Sequence, residues 1–312
     1  MFESSAYGQK YNSKLMLRSV KLVPFLSVLF LLCNLSNNPT FDKDKAFRYL
    51  SEQCDFGPRN PGSSGHLKVK NYLLDKLNQS ANLVNVQDFV YHDSASNLDL
   101  NLTNIIASFY PQNRKRILLA AHWDTRPFAD EESDSTLWNE PILGANDGAS
   151  GVAVLLEIAN VLSKKEPKYG VDIVFFDCED SGEEGKDNWW CIGSKYFASH
   201  LGEYRPEFGI LLDMIGDKNL KIYKEGYSAK YATKTVDLVW SKAKKLKLGC
   251  FVDSVKYALI DDHIALLEAG IPCVDLIDFD YPYWHTLSDT PDKCSAESLD
   301  KIGKLLIEVL YH

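Results

Sequence analysis

The 312-residue sequence lacks several features that would direct it to other classes of protein. It has no basic run apart from Lys242–Lys247, and its net charge is −9, so nucleic acid is not expected as a partner. It has no internal repeat, no low-complexity tract and no composition shift after residue 42, so one large domain is expected there. Its N-terminal apolar stretch, Leu22–Leu32, has only about eleven residues and is too short to span a bilayer.

Residues 1–33 have the pattern of an export signal. Lys14, Arg18 and Lys21 form a positive segment before the apolar stretch, and Lys10 lies further upstream. Met16 is a candidate translation start, because the charged-then-apolar pattern runs on from there. Cys33 closes the stretch and could receive a lipid that tethers the chain to a membrane, although Leu32 before it is larger than such sites prefer. Lipidation, simple cleavage and a retained anchor therefore stay open.

The signal is followed by a polar linker at 34–41 and by the domain at 42–312, which we interpret as catalytic. Because residues 1–33 carry a net charge of +3, their removal changes the charge from −9 to −12. Export would place the six later cysteines in an oxidising compartment, but their spacing matches no zinc-finger pattern and allows fifteen pairings. We interpret Cys178 and Cys273, which lie beside or within apolar strands, as buried thiols.

Strands alternate with helices along residues 42–312, which predicts an α/β fold with a mostly parallel sheet between helical layers. We predict strands near 84–90, 102–109, 117–121, 171–176, 208–214, 221–223, 250–252 and 273–277. We predict helices at 42–54, 66–77, 148–163, 194–201, 232–245, 262–268 and 295–310. The stretch 126–146 joins two of the metal-ligand candidates described next and is interpreted as part of the rim of a site.

Acids and histidines follow the apolar runs of several predicted strands. The carboxyl ends of strands in an open α/β sheet form the crevice where ligands bind. Oxygen and imidazole ligands brought together there suit a cation such as zinc. The candidates are His122 and Asp124, Asp147, the pair Glu179-Asp180, Asp213 and His285.

Each candidate also has a structural interpretation without a metal. Asp147, taken alone, is better explained as the N-cap of the helix that follows. Glu179 and Asp180 could be solvated carboxylates that open an acidic loop, but as neighbours on a strand they would point to opposite sides. His122 and Asp124 are two residues apart and share a face, so Asp124 could accept the second ring N–H of the histidine.

Together these motifs resemble the co-catalytic zinc aminopeptidase superfamily. They are HWD (122–124), GANDGASG (144–151), the acid pair at 179–180, LLDMIG (211–216), DDH (261–263) and WHT (284–286). Within the superfamily the chain looks most like the zinc-dependent glutaminyl cyclases of the exported bacterial branch, over residues 42–312. The resemblance implies a three-layer sandwich around a central mixed sheet, and a periplasmic location.

Two residues favour cyclases over aminopeptidases. Asp261 stands where the aminopeptidases resembling this chain usually have serine, and Trp284 precedes the late histidine, where they tend to lack tryptophan. The positions that would hold two zinc ions in an aminopeptidase are nevertheless filled, so a di-zinc aminopeptidase stays the alternative. A non-catalytic domain with this fold is disfavoured, because Glu179 and the ligand positions are all present.

The resemblance implies a glutaminyl-peptide cyclotransferase that converts the N-terminal glutamine of peptides and proteins to pyroglutamate and releases ammonia. One zinc per chain would be held by Asp147, Asp180 and His285, with aspartate at 180 where many cyclases have glutamate. Glu179, Asp213 and Asp261 would be catalytic, and Trp190 and Trp284 would bind substrate. His122 and Asp124 would support the site or hold a second metal, and the protein is expected to be a monomer.

Overall fold

Strands and helices alternate along the computed structural model, which describes residues 39–93, 97–183 and 189–312. The strands are β1 (Leu83–Asp93), β2 (Leu98–Phe109), β3 (Arg116–His122), β4 (Gly170–Phe176), β5 (Gly209–Asp213), β6 (Ile222–Lys224), β7 (Phe251–Val255) and β8 (Cys273–Ile277). The α-helices are α1 (Lys43–Cys54), α2 (Ser64–Asn78), α3 (Ala149–Leu162), α4 (Ile192–Ser199), α5 (Gly226–Tyr231), α6 (Thr233–Lys245), α7 (Asp262–Glu268) and α8 (Ala296–Tyr311).

Six strands form a central mixed sheet in the order β1-β2-β4-β3-β5-β8. The pairs β1/β2 and β2/β4 are antiparallel, whereas β4/β3, β3/β5 and β5/β8 are parallel. Strands β4, β5 and β8 are buried along their whole length, as expected for parallel strands covered on both faces. The predicted mixed, mostly parallel sheet is confirmed.

Helices cover both faces of this sheet. Successive side chains of a strand point to opposite faces, and in β3 they enter two different cores. Leu119 and Ala121 pack in the core that contains α1, α3 and α8. Leu118 and Ala120 pack in a smaller core with Phe197 of α4 and Leu266 of α7. The domain is therefore the three-layer sandwich that was expected, and residues 39–312 form one compact unit.

Two features of the chain after β5 differ from the prediction. The strands expected near 221–223 and 250–252 are present as β6 and β7, but they pair with each other in a separate parallel sheet. Helix α5 was not predicted, because six residues are too few to show a helical period. Its N-cap is Glu225, whose carboxylate accepts hydrogen bonds from the backbone N–H groups of Tyr227 and Ser228.

The cysteines in the described part of the chain are free and buried: Cys54, Cys178, Cys191, Cys250, Cys273 and Cys294. The interpretation of Cys178 and Cys273 as buried thiols is confirmed, since neither has exposed surface. The export signal and Cys33 lie outside the described residues. Within the ranges described, no helix is long and apolar enough to cross a membrane.

Candidate metal and catalytic site

The predicted metal ligands meet at the carboxyl ends of the parallel strands. Asp147 precedes α3, Asp180 follows β4, and His285 lies in the loop after β8. The Nε2 atom of His285 is 3.0 Å from Oδ1 of Asp180 and 3.7 Å from Oδ2 of Asp147. All three side chains are buried, and one ligand atom of each lies within 4.8 Å of the others. These residues can hold a metal ion.

A second set of ligands shares Asp147 with the first. His122 ends β3 and Asp213 ends β5. The Nε2 atom of His122 is 3.1 Å from Oδ1 of Asp147 and 3.2 Å from Oδ1 of Asp213. The two oxygens of Asp147 therefore face two different histidines. The geometry offers a place for one metal at His285 and for another at His122.

Asp147 is not a helix cap, so that structural interpretation is wrong. The N-cap of α3 is Gly148, which makes no side-chain capping bond. The backbone N–H groups of Asn146 and Asp147 donate instead to the carboxylate of Asp289, at 2.9 and 3.1 Å. The aspartate side chain is thereby free to face both histidines. A Cβ atom on Gly148 would lie 2.7 Å from Cε1 of His122, so glycine is required for this approach.

Glu179 and Asp180 lie in a bend after β4 rather than on the strand itself. The carboxylate of Asp124 accepts hydrogen bonds from both of their backbone N–H groups, at 3.1 and 3.2 Å. Asp180 joins His285, whereas Oε1 of Glu179 accepts a hydrogen bond from the Cys191 thiol at 3.3 Å. The two neighbouring acids therefore have different partners.

The predicted hydrogen bond from His122 to Asp124 is not formed. Oδ1 of Asp124 lies 3.4 Å from Nδ1 of His122, but this nitrogen has no well-aligned partner among the described residues. The carboxylate of the fully buried Asp124 instead accepts hydrogen bonds from the backbone N–H groups of Glu179 and Asp180. Burial lowers the pKa of His122, but the neighbouring carboxylates of Asp124, Asp147 and Asp213 outweigh it and raise the pKa of this imidazole.

The loop at 126–146 supports the site, as its interpretation as a rim predicts. Arg126 donates from Nη1 to the backbone oxygen of Asp180 at 3.1 Å and pairs with Asp130. Oδ1 of Asp130 lies 3.5 Å from Nδ1 of His285, on the opposite side of the ring from Asp180. Sequence reasoning did not single out either residue, since an arginine and an aspartate four residues apart have no metal-site pattern.

Burial and neighbouring charges shift the pKa values of several groups in the site. Burial alone would lower the pKa of His285, but the carboxylates of Asp180, Asp130 and Asp147 raise it to about 9. Burial raises the pKa of Glu179 well above its ordinary value. Burial, reinforced by the charge of Asp213, raises the pKa of Asp261 to about 7. The site thus concentrates more negative charge than the nearby Arg126 neutralises.

This excess of acids fits a divalent cation. Oδ2 of Asp180 is buried and has no hydrogen-bond partner among the described residues, which is costly unless it meets a cation. The two carboxylates and one imidazole of the His285 set are hard and borderline ligands of the kind zinc binds. The residues present therefore fit a zinc ion at Asp147, Asp180 and His285.

All eight residues predicted to be catalytic, metal-binding or substrate-binding line one cavity of about 250 Å³. Trp284 stacks on His285 with ring centroids 3.7 Å apart, and Trp190 lies parallel to the same imidazole at 6.3 Å. Trp190, and not Trp189, lines the cavity, as the sequence suggests. His122 and Asp124 lie behind it. The backbone is left-handed at four non-glycine residues beside this cavity, Cys178, Cys191, Met214 and His285.

A buried polar cluster, which we call the Asp261 cluster, continues from the cavity into the protein. Asp261 caps α7, and behind it lie His263, Asp275 and Glu225, each without exposed surface or nearly so. Nε2 of His263 is 3.0 Å from Oε2 of Glu225, and Nδ1 is 3.8 Å from Oδ2 of Asp275. Glu225 and Asp275 were not predicted, because neither is near a recognised motif in the sequence.

Proteins that are similar to this chain support the assignment of a zinc site. A glutaminyl cyclase from Bacteroides thetaiotaomicron, bound to N-acetylhistamine, is 40% identical, with a TM-score of 0.85 over 88% of this chain and 99% of that one. A Zn-dependent exopeptidase from Parabacteroides distasonis is 37% identical, with a TM-score of 0.85 over the same shares of the two chains. A glutaminyl-peptide cyclotransferase from Drosophila melanogaster is 26% identical over 80% of this chain and 75% of its own length.

The resemblance found in the motifs is confirmed by these relatives. They include both cyclases and exopeptidases, and the zinc-dependent neighbour indicates that the metal of this site is zinc. Residues 104–310, which contain the whole set of candidate ligands, match peptidase family M28. The chain belongs to peptidase family M28.

Proposed function

We propose that this protein is a glutaminyl-peptide cyclotransferase, which closes an N-terminal glutamine into pyroglutamate and releases ammonia. The observation that carries the proposal is the position of Asp261, which lines the same cavity as Glu179 and Asp213. A further acid beside Asp147, Glu179, Asp180 and Asp213 costs free energy to bury unless the reaction uses it. The cyclases among the relatives support the same function.

One zinc ion would be held by Asp147, Asp180 and His285. When bound there, zinc acts as a Lewis acid on the γ-carbonyl of the substrate glutamine. The chain supports these ligands from behind through Asp289, Asp124 and Asp130, each of which contacts a ligand's backbone or ring. Such outer contacts fix the orientation of the ligands and increase the affinity for the metal.

Glu179 is placed to move the proton of the reaction. It would accept a proton from the attacking α-amine and donate it to the leaving amide nitrogen. Burial raises the pKa of Glu179 above its ordinary value, which is the direction expected for a carboxylate that both accepts and donates a proton. The hydrogen bond from the Cys191 thiol holds the carboxylate without supplying a charge.

Asp213 and Asp261 would share a proton and stabilise the intermediate. Burial raises the pKa of Asp261, and repulsion from the neighbouring carboxylate of Asp213 raises it further. A protonated member of the pair can donate a hydrogen bond to oxygen as negative charge develops on it. Asp261 would thereby act on the substrate while Asp213 holds the shared proton in place.

Trp190 and Trp284 would form the walls around the substrate side chain. Because the substrate supplies its own amine, the reaction needs no water as nucleophile, and orientation of the two reacting groups removes much of the entropic barrier. A cavity of about 250 Å³ between two tryptophans favours a folded glutaminyl residue and leaves little room for water. Release of ammonia from the dipeptide Gln-Ala tests this function, since peptidase cleavage would yield free glutamine and alanine.

The purified protein is expected to contain one tightly bound zinc per chain, and chelation should abolish activity. Three protein ligands at the His285 set leave one coordination position for substrate, as in catalytic zinc sites. Metal analysis of the protein, before and after dialysis against a chelator, measures the zinc content alongside ammonia release. Two tightly bound zinc ions, both required for activity, would instead support the aminopeptidase.

The alternative is a di-zinc aminopeptidase of the same family. The observation that favours it is the second ligand set of His122, Asp147 and Asp213. In that enzyme Glu179 would activate a water molecule, and Asp213 would be a ligand rather than half of an acid pair. The two functions therefore assign different roles to Asp213 and predict different metal contents.

We further propose that the protein is exported to the periplasm and works as a monomer, cleaved or tethered at Cys33. The export and the tether rest on the charged-then-apolar pattern of residues 1–33. Its substrates would then be exported peptides and proteins whose N-terminal residue is glutamine.

A further inference from the structure

A second, largely apolar groove of about 470 Å³ opens next to the catalytic cavity. One wall is α5, which contributes Tyr227 and Tyr231, and the other is α7, which contributes Ile264 and Leu267. Glu268 is the only charged residue in its lining. Tyr231 is 58% exposed although its ring is large and mostly apolar. A groove of this composition suits apolar side chains of a ligand.

The groove adjoins the catalytic cavity at Ile260. This residue lines both, and it directly precedes Asp261 in the chain. Its side chain is 43% exposed, so it forms an uncovered apolar ridge between the two spaces. A ligand that leaves the catalytic cavity on this side passes directly over Ile260 into the groove.

The walls of the groove are held together by Glu225 of the Asp261 cluster. Its carboxylate accepts hydrogen bonds from the N–H groups of Tyr227 on α5, at 2.9 Å, and of Leu259 before α7, at 3.1 Å. It also pairs with His263 on α7 at 3.0 Å. A buried carboxylate that joins both walls makes the groove preformed, which reduces the entropic cost of binding.

The catalytic cavity can hold only the first residue of a peptide. Its volume, about 250 Å³, is below the range of about 300–1,000 Å³ usual for pockets that enclose drug-sized ligands. The remainder of a peptide or protein substrate must therefore lie outside it. Helix α7 has 7 residues, so the groove beside it is about 10 Å long, which matches about three residues of extended chain.

We propose that the groove binds the part of the substrate that follows the N-terminal glutamine and favours apolar or aromatic side chains at its third to fifth positions. This inference rests on the proposed cyclase function. The second residue of the substrate would cross the Ile260 ridge, and the next ones would lie between Tyr231 and Leu267. The preferred substrates are then peptides and chains with an apolar segment close to an N-terminal glutamine.

The experiment compares ammonia release from Gln-Ala, Gln-Ala-Ser-Ser-Ser, Gln-Ala-Phe-Leu-Phe and Gln-Ala-Lys-Lys-Lys. For the wild type, kcat/KM should be about tenfold higher with the apolar pentapeptide than with the serine one. Tyr231→Ser should remove most of this difference. Leu267→Glu should remove it and raise kcat/KM for the lysine peptide, a reversal that misfolding cannot produce. Gln-Ala, which is too short to enter the groove, is the reference for each variant.

Leu67→Glu is the matched control, because Leu67 is 60% exposed on α2 and does not line the groove. It should leave the order of the four peptides unchanged. If the protein released ammonia from Gln-Ala but its kcat/KM did not depend on residues three to five of the pentapeptides, the groove would not be a substrate site. The cyclase function would then still stand. No ammonia from any of the peptides would overturn both. Concentration-dependent dimers that Leu267→Glu abolishes, with unchanged peptide preference, would assign the groove to a second copy of the chain and overturn the inference.

Discussion

Glu179→Gln is expected to lower the rate of glutamine cyclisation by roughly a hundredfold or more. The change keeps the volume of the side chain but removes the carboxylate that would take the proton of the α-amine. Zinc content should be unchanged, because Asp180, and not Glu179, belongs to the His285 ligand set. Steady-state ammonia release and metal analysis of the same sample give both quantities.

Glu131→Gln is a suitable control for this variant. Glu131 is an exposed glutamate of the 126–146 loop, so the same chemical change is made near the site but outside the cavity. Its activity should equal that of the wild type. If Glu179→Gln lost its zinc while Glu131→Gln kept it, Glu179 would be a ligand and the roles assigned to the acid pair would be reversed.

Asp261→Asn is expected to reduce cyclisation by about a hundredfold, the usual loss when a group that stabilises developing charge is removed. Asparagine can still donate a hydrogen bond, but it cannot share a proton with Asp213 or change its charge as the intermediate forms. Zinc content and thermal unfolding of the variant should stay close to those of the wild type. Asp237→Asn, an exposed aspartate on α6, is the matched control and should be fully active.

Asp261→Ser places the residue typical of the related aminopeptidases at this position. We expect the variant to lose cyclisation without gaining peptidase activity, because Trp284 still packs against His285 and narrows the cavity. Cleavage of Leu-Ala by Asp261→Ser would mean that this single residue separates the two reactions. If Asp261→Asn had the activity of the wild type, a proton shared between Asp213 and Asp261 would have no role in the mechanism.

The sequence predicts well those parts of the molecule that depend on local pattern. The apolar runs that become β3, β4, β5 and β8 are long enough to be recognised, and parallel strands place their carboxyl ends at one edge of the sheet. His122 and Asp213 end their strands directly, so their convergence follows from topology. All eight residues predicted to act in catalysis or binding line one cavity.

The supporting residues could not be predicted, because they contact the site over long distances in the chain. Asp289 binds the backbone of Asp147 across 142 positions, and Glu225 reaches Leu259 across 34. Neither is part of a short motif, and a buried carboxylate that accepts backbone N–H groups looks in sequence like any surface acid. The interpretation of Asp147, taken alone, as a helix cap failed for the same reason, since it is Asp289 that accepts the backbone N–H groups of Asn146 and Asp147.

Helix α5 and the groove beside it show a further limit of sequence reasoning. Six residues carry no period, and the helix depends on the cap formed by Glu225. The mostly apolar lining of the groove comes from two helices and the segments next to them, which no single stretch of sequence reveals. Extended substrate sites of this kind follow from tertiary structure alone.

The products formed by the wild-type protein from Gln-Ala and Leu-Ala test the central claim most directly. Both dipeptides present the same free amine and alanine, and only glutamine has a γ-amide that can be displaced by that amine. The wild-type protein is expected to form ammonia and pyroglutamyl-alanine from Gln-Ala and to leave Leu-Ala intact. Efficient release of free leucine from Leu-Ala would contradict it and identify the protein as an aminopeptidase.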